Sequence, residues 1–198
     1  MLQVLTGTAK GRKLKVPKGS AVRPTTSRVK KTIFDTLGDI TGFKVLDIFA
    51  GSGGLGIEAL SRGAAHVTFI EKNSLVYRVL RENISLCGFL DRATLICAHY
   101  EGALKRLKKM GEKFDLIFID PPYILYKRKQ VVDFIKQLYE LLEEDGTIVI
   151  EHNYRIENSI KGFKRITKPF GETNLSLFRR GDESLGRAWV LRPGALYA

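Results

Sequence analysis

Short apolar runs alternate along the middle of the chain with segments in which apolar residues recur every three or four positions. The runs cover residues 45–49, 67–70, 94–97, 114–119 and 147–150, and the periodic segments lie near 55–62, 73–86, 100–109 and 129–142. Runs of this length are typical of strands buried on both faces, whereas the longer periodicity indicates amphipathic helices. Their alternation predicts an α/β fold of the Rossmann-like type, doubly wound around a mostly parallel sheet.

The two ends of the chain complete this prediction. Residues 163–170 and 174–178 read as an antiparallel pair, which would close a seven-stranded sheet with an antiparallel last strand. Residues 1–22 alternate weakly, are punctuated by glycine and predict a small N-terminal β-hairpin arm. We therefore divide the chain into this arm, one domain over 23–180, and a C-terminal tail over 181–198 whose role stays open.

A helix is predicted between the arm and the first strand, because residues 24–27 (Pro-Thr-Thr-Ser) carry helix-start signals. The apolar positions that follow at helical spacing are Val29, Ile33, Leu37 and Ile40. They predict a stripe that faces the core. The charged residues expected on the other faces of this helix are Arg28, Lys30 and Lys31.

A glycine-rich turn directly follows the first predicted strand. Gly51, Gly53 and Gly56 satisfy the pattern G-x-G-x-x-G, in which residues without a Cβ let a ligand lie against the backbone. The pattern alone fits a dinucleotide as well as S-adenosylmethionine. Asp47 favours S-adenosylmethionine, because a carboxylate attracts the ammonium of its methionine moiety and repels a pyrophosphate. Glu71, at the end of the second strand, is placed to accept the ribose hydroxyls of either cofactor.

The fourth predicted strand ends in the tetrapeptide Asp120-Pro121-Pro122-Tyr123. This combination suits methyl transfer to an exocyclic amine, whose lone pair is delocalised into the ring of a base. Asp120 can accept one N–H and a carbonyl of the rigid diproline the other, which draws the nitrogen toward a tetrahedral shape and aligns it for attack. Tyr123 offers a flat face on which a base can stack. The plainer interpretation is a loop stiffened by prolines.

The chain is strongly basic, with a formal net charge of +12. Residues 1–34 contain no Asp or Glu, and the cations among them are Lys10, Arg12, Lys13, Lys15, Lys18, Arg23, Arg28, Lys30 and Lys31. This asymmetry predicts an arm that grips the phosphate groups of a nucleic acid, and a solvated, solubilising face is the plainer alternative. Because the arm precedes the first sheet strand, we expect its removal to leave the core closed.

Other classes of partner are disfavoured by the sequence. The two cysteines and three histidines do not have the spacing of a metal site, so we expect no metal and reduced thiols. No stretch has the character of a signal peptide or the length of a membrane span. We therefore expect a cytoplasmic protein that has no membrane partner. A monomer is expected as well, although none of these features bears on it.

These motifs resemble the class I Rossmann-like methyltransferases, and the Asp-Pro-Pro-Tyr tetrapeptide resembles their amino-methylating branch. More narrowly, the chain is similar to the RsmD family of bacterial 16S rRNA guanine-N2 methyltransferases. The matching stretches are 11–14 (Gly-Arg-Lys-Leu), 23–29 (Arg-Pro-Thr-Thr-Ser-Arg-Val), 46–60, 115–123 and 171–173 (Gly-Glu-Thr). Together they span nearly all of the first 180 residues, and the stretch at 23–29 with the basic arm makes the match narrow.

The resemblance implies S-adenosylmethionine as cofactor and 16S rRNA in the assembling 30S subunit as substrate, at a guanine in the loop of helix 31 near the peptidyl-tRNA site. The residues it implies for cofactor binding are Asp47, Phe49, Gly51, Ser52, Gly53, Gly56, Glu71, Lys72, His99 and Tyr100. Those implied for the reaction are Asp120, Pro121, Pro122 and Tyr123. Those implied for RNA binding are Lys10, Arg12, Lys13, Lys15, Arg23, Thr25 and Arg28. One departure is His99, which stands where the family often has an Asp or Asn near the adenine, so stacking or backbone contacts are expected there.

Other functions stay open at this point. The amine could instead be adenine N6 in DNA or RNA, or a protein glutamine, because the tetrapeptide is shared with enzymes for those substrates. A DNA adenine enzyme usually carries a target-recognition domain, for which we expect no room here. A non-catalytic RNA-binding protein that retains the fold is a second alternative, and a nucleotide-dependent dehydrogenase is a third.

Overall fold

The computed structural model describes residues 2–17, 26–120, 128–152, 160–170 and 173–181. Several sequence-based predictions fall outside these ranges. They concern Arg23, Thr25, Pro121, Pro122, Tyr123 and the tail from residue 182.

The described chain forms one seven-stranded sheet in the order β3-β2-β1-β4-β5-β7-β6. The strands are β1 (Lys44–Ile48), β2 (His66–Glu71), β3 (Ala93–Cys97), β4 (Phe114–Ile119), β5 (Leu142–His152), β6 (Phe163–Phe170) and β7 (Thr173–Arg180). Strands β1 to β5 pair in parallel, and β7 lies antiparallel between β5 and β6. The predicted fold class, including the antiparallel pair that closes the sheet, is confirmed.

Helices cover both faces of the sheet. They are α1 (Ser27–Leu37), α2 (Gly54–Ser61), α3 (Ser74–Leu86), α4 (Tyr100–Lys109) and α5 (Arg128–Leu138). Apolar residues of α1, α2 and α3 pack into one core cluster, and those of α4 and α5 pack into a second on the opposite face. Within the described ranges, no helix is both long enough and apolar enough to cross a membrane.

The segment between α5 and β5 differs from the sequence-based prediction. The helix expected to reach residue 142 ends at Leu138, a 3-10 turn covers Tyr139–Leu141, and β5 begins at Leu142. Leu142 is a strand residue because its main chain pairs with Phe114 at the start of β4. The apolar side chain of Leu142 is buried whether the residue ends a helix or begins a strand. The spacing of apolar residues therefore does not distinguish these two structures.

The N-terminal segment forms the predicted hairpin but does not project as an arm. Gln3 and Lys13 form an antiparallel bridge, and the Leu14 N–H donates to the Leu2 carbonyl at 2.9 Å. The apolar residues of this segment lie in the same cluster as α1 and α2, and they are Leu2, Val4, Ala9 and Leu14. Removal of this segment would therefore uncover part of that cluster, which argues against the expectation that the core stays closed without it.

The position of Lys30 contradicts a second expectation from the sequence. The sequence placed it on an outer face of α1, but its side chain is fully buried, with Nζ 3.3 Å from Glu58 Oε2 and donating to the Gln3 carbonyl at 2.6 Å. Burial lowers the pKa of this amine, against the opposing effect of Glu58. Glu58 also accepts from the backbone N–H groups of Leu5 and Thr6, at 2.7 and 3.0 Å. This buried pair therefore ties the hairpin to α1 and α2.

Candidate active site

The sheet reverses its winding between β1 and β4, the two strands at its centre. The chain leaves β1 toward β2 and β3 on one side, whereas β4 and β5 lie on the other. In open α/β sheets, ligands bind at such a switch point, in the crevice outside the carboxyl ends of the strands. Three predicted site residues, Asp47, Glu71 and Asp120, lie at or just beyond this edge.

The glycine-rich turn joins β1 to α2 at this edge. Gly51 and Gly53 have positive φ values of 55° and 85°, a conformation that costs glycine little. A Cβ at Gly53 would lie 2.6 Å from Leu80 Cδ1, and one at Gly56 would lie 2.2 Å from Phe69 Cε1. Gly56 is thus required by the packing of α2 against the sheet, and Gly53 is favoured by its left-handed backbone, whatever the ligand.

Asp47 lies beneath the turn and is almost completely buried. Its Oδ2 accepts from the Gly56 N–H at 2.9 Å, which fixes the start of α2 to β1. Burial raises the pKa of Asp47 to about 7, the Gly56 hydrogen bond opposes that shift, and the charges of Asp120 and Glu71 add to it. The three carboxylates are therefore close enough to interact, although they come from different strands.

Glu71, at the end of β2, is hydrogen-bonded to the glycine-rich turn. Its Oε2 accepts from the Gly51 N–H at 3.0 Å and its Oε1 from the Asn73 N–H at 2.8 Å. Each carboxylate oxygen has two acceptor sites, so both retain capacity toward a ligand. Lys72 is exposed beside it, and Ser52 is buried within the turn.

Phe49 carries backbone strain at this site. It is the one non-glycine residue with a positive φ, 65°, in the described part of the chain, and for a bulky side chain that region costs roughly 1–3 kcal/mol. Its ring lies 5.1 Å from that of Tyr100 and 6.3 Å from that of Phe134, between centroids. His99 lies against Tyr100 at 4.7 Å. These aromatic side chains pack together at the edge of the sheet where the sequence predicts cofactor binding.

The carboxyl end of β5 contributes a residue that sequence reasoning missed. Ile119 of β4 pairs with Ile150 of β5, and Asp120 and Glu151 are the residues that directly follow them at this edge of the sheet. The Thr173 hydroxyl of β7 donates to Glu151 Oε1 at 3.0 Å and orients that carboxylate. The signal in the sequence was an acid directly after the fifth apolar run.

The predicted RNA-binding residues within the described ranges are all exposed, and they are Lys10, Arg12, Lys13, Lys15 and Arg28. Lys15 has a counter-charge that the local sequence did not reveal, because its Nζ lies 2.8 Å from Glu82 of α3. Lys31, likewise, lies 2.6 Å from Asp35 on its own helix. The basic N-terminal segment is therefore partly neutralised by acids from elsewhere in the chain.

The fold agrees with what the chain resembles among known proteins. A family model described as conserved hypothetical protein 95 matches residues 2–179. The chain belongs to this family. The resemblance to the RsmD family inferred from the motifs is confirmed as well, since named members of that family match over most of the chain.

Two curated relatives and one solved structure illustrate the similarity. A putative rRNA methyltransferase of Bacillus subtilis, YlbH, is 41% identical over 157 residues, which is 79% of this chain and 85% of that protein. Ribosomal RNA small subunit methyltransferase D of Escherichia coli is 34% identical over 161 residues, 81% of this chain and 76% of that protein. The structure of the putative methyltransferase yhhF from Escherichia coli matches with a TM-score of 0.76 at 30% identity, covering 90% of this chain and 97% of that one.

Proposed function

We propose that the protein transfers a methyl group from S-adenosylmethionine to the exocyclic N2 amine of a guanine in 16S rRNA, within the assembling 30S subunit. The observation that carries the proposal is the position of Asp120. It follows β4 at the switch point, and its charge contributes to the raised pKa of Asp47 beneath the glycine-rich turn. An acceptor for an amine and a cradle for a cofactor thus lie at one edge of the sheet.

The residues at this edge fit S-adenosylmethionine. A ligand ammonium near Asp47, directly or through one water, would favour the ionised carboxylate that burial disfavours. Glu71 has acceptor capacity for ribose hydroxyls beyond its two backbone bonds. Phe49 and Tyr100 present aromatic faces suited to an adenine ring. When bound, the sulfonium supplies an activated methyl group.

Asp120 gives the amine its reactive geometry in this proposal. Its carboxylate accepts one N–H of the exocyclic nitrogen, and a carbonyl of Pro121 or Pro122 accepts the other, so that the lone pair points along the line of transfer. Stacking on Tyr123 would contribute roughly 1–3 kcal/mol. The target base must be unpaired, or flipped out of its helix, to enter such a site.

The position of Glu151 favours guanine over adenine. Guanine presents N1–H and N2–H₂ donors side by side, and two neighbouring carboxylates can accept from both groups. Adenine presents an acceptor at N1, which a carboxylate would repel. Asp120 and Glu151 directly follow the paired residues Ile119 and Ile150 at the ends of β4 and β5, which supports such an arrangement of two acceptors.

Ribosomal RNA as the substrate is supported by relatives and by charge. Both curated relatives carry rRNA methyltransferase names, and the chain covers most of their length. The chain has a net charge of +12, as expected for a protein that binds a polyanion. Binding in the assembling subunit, as a monomer and without a metal, completes the proposal.

Mapping of methylated guanines in 16S rRNA from cells with and without the protein tests the substrate. In single-turnover assays, Asp120→Ala should reduce the rate by about 10²–10³-fold, the usual effect of removing one group that stabilises the transition state, with little change in cofactor affinity. The matched control is Asp115→Ala on the same strand, where the carboxylate accepts from the Lys44 N–H at the opposite end. Near-wild-type turnover in the Asp120 variant would refute its role.

The base is tested with RNA in which the target guanine is replaced by 2-aminopurine, which keeps the N2 amine but lacks N1–H. We expect the wild type to discriminate strongly against this base and Glu151→Gln to discriminate less. Methylation of adenine or glutamine would establish the alternative amine substrates. Stabilisation by NAD and not by S-adenosylhomocysteine would indicate a dehydrogenase, and binding of RNA without transfer would indicate a non-catalytic protein.

A further inference from the structure

Asn83 of α3 joins two segments that the sequence kept apart. Its side chain is fully buried. Oδ1 accepts from the Lys15 N–H at 2.8 Å, while Nδ2 donates to the Lys15 carbonyl and to the Ser52 carbonyl, both at 2.9 Å. Both N–H groups of the amide and its oxygen are therefore engaged, and one side chain bridges the N-terminal hairpin and the glycine-rich turn.

The two bonds to Lys15 resemble those of a neighbouring strand, because they use both the N–H and the carbonyl of one residue. Lys15 is held a second time by its ion pair with Glu82, one position before Asn83. The exposed cations Arg12 and Lys13 lie just upstream. Asn83 therefore sets where the basic end of the hairpin lies relative to the cofactor turn.

The other end of the hairpin has its own anchors. The Ser61 hydroxyl accepts from the Ala9 N–H at 2.9 Å and donates to the Thr6 carbonyl at 2.6 Å. Glu58 holds the backbone at residues 5 and 6. Loss of Asn83 would consequently release the end near the cofactor turn, while residues 5–9 in the turn of the hairpin stay attached.

We propose that Asn83 is a positioning residue that links cofactor occupancy to RNA binding, by tying the basic end of the hairpin to the turn that cradles the cofactor. The proposal rests on the proposed function. A ligand that orders the backbone around Ser52 also orders Asn83, and with it Lys15 and the cations next to it. By linkage, RNA must tighten cofactor binding by the same factor as the cofactor tightens RNA binding.

The test measures that factor in the full-length protein. The affinity for a 16S rRNA transcript is determined with and without saturating S-adenosylhomocysteine, and the reciprocal titration is run with and without RNA. We expect a factor of roughly 5–150 in the wild type, the usual range of such coupling, and about 1 in Asn83→Ala. The matched control is Ser61→Ala, which also loses two hairpin bonds but has no bond to Ser52, and it should keep the wild-type factor.

A second measurement needs no variant. In the wild type, S-adenosylhomocysteine should slow hydrogen exchange at the Lys15 amide, which donates to Asn83, as well as at the turn. Unchanged exchange at Lys15, a factor of 1 in the wild type, or equal loss of the factor in both variants would each overturn the linkage. If guanine methylation is normal while S-adenosylhomocysteine leaves the affinity for RNA unchanged, the linkage is refuted and the proposed function stands. If the wild type binds no RNA, the proposed function fails with it.

Discussion

The carboxyl group of Asp47 lies beneath the glycine-rich turn, buried and near two other carboxylates, which makes its ionised form costly in the free protein. Its ordinary pKa is 3.8 and its pKa in the folded chain is about 7. Between these values the folded state binds more protons than the unfolded state. The free energy of unfolding therefore falls as pH rises from about 4 to 7, and the full destabilisation is present above pH 7.

We expect Asp47→Asn to stabilise the free protein at pH 8 more than at pH 5, because the amide has no charge to bury and its oxygen can still accept from Gly56. A difference in Tm gain of at least about 2–4 °C between the two pH values corresponds to ~1 kcal/mol in a domain of this size. The same variant should bind S-adenosylhomocysteine more weakly. Thermal melts at both pH values measure the gain in Tm, and a calorimetric titration measures the affinity for S-adenosylhomocysteine. Equal gains in Tm at the two pH values would contradict the raised pKa of Asp47.

At the scale of elements, helix α2 approaches β2 closely because Gly56 has no side chain. Its missing Cβ would lie 2.2 Å from Phe69 Cε1 and 2.9 Å from Asp47 Oδ2. Gly56→Ala should therefore cost about 1–3 kcal/mol, as overpacking of a core does. The measurement is urea denaturation, and adding Phe69→Leu should recover part of the loss.

The control for this substitution is Gly102→Ala in α4. A Cβ there meets nothing within 4 Å, so the alanine should stabilise the helix by up to about 1 kcal/mol. If Gly56→Ala behaved like Gly102→Ala, the close approach of α2 to the sheet would not limit the residue at position 56.

The hairpin is the element expected to contact phosphate groups. Replacement of Lys10, Arg12 and Lys13 by glutamine should flatten the slope of log affinity for RNA against log salt by roughly 0.7–0.9 for each phosphate group that the variant no longer neutralises. Lys15 is left unchanged because it pairs with Glu82. RNA binding across a salt series measures this slope.

The matched variant for this test removes three exposed charges from α4, on the opposite face of the sheet. These are Lys105, Arg106 and Lys109. It has the same net charge as the hairpin variant, so a general electrostatic effect would change both slopes equally. That outcome would remove the hairpin from the RNA interface.

At the scale of the whole molecule, the N-terminal segment belongs to the fold. Deletion of residues 1–15 would expose part of the cluster beneath it and remove the hydrogen bonds that Glu58 and Lys30 make to the backbone of the hairpin. Hydrogen bonds to charged groups contribute about 1.5–3 kcal/mol each, and the apolar surface that becomes exposed adds to that loss. We expect the truncated chain to lose its cooperative melting transition, or to melt far below the wild type, and a full-length Tm would show that the segment is only attached to the surface.

The parts of the molecule that follow from local pattern were predictable, and the parts that depend on distant partners were not. The apolar runs and helical stripes lie within single elements, and the turn from Asp47 to Gly56 is contiguous, so both could be read from the sequence. Leu5 and Glu58 are 53 residues apart, and Lys15 and Asn83 are 68 apart. Nothing in the pattern around Lys30 distinguishes a buried amine from an exposed one. Only the pairing of β4 with β5 in the structure shows that Asp120 and Glu151 follow adjacent strands.

The order of the last two strands has a consequence for the way the chain is made. Strand β6 is synthesised before β7, yet in the described sheet it pairs with β7 alone, and β7 is what joins it to β5. A nascent chain from which residues up to 170 alone have emerged therefore has the β6 segment without its partner strand and a β5 with an open edge. Open edges of this kind invite pairing with other chains. The eight residues Thr173–Arg180 cover the open edge of β5 and one side of β6, so in the described sheet the edge passes from β5 to β6 only when this last strand is in place.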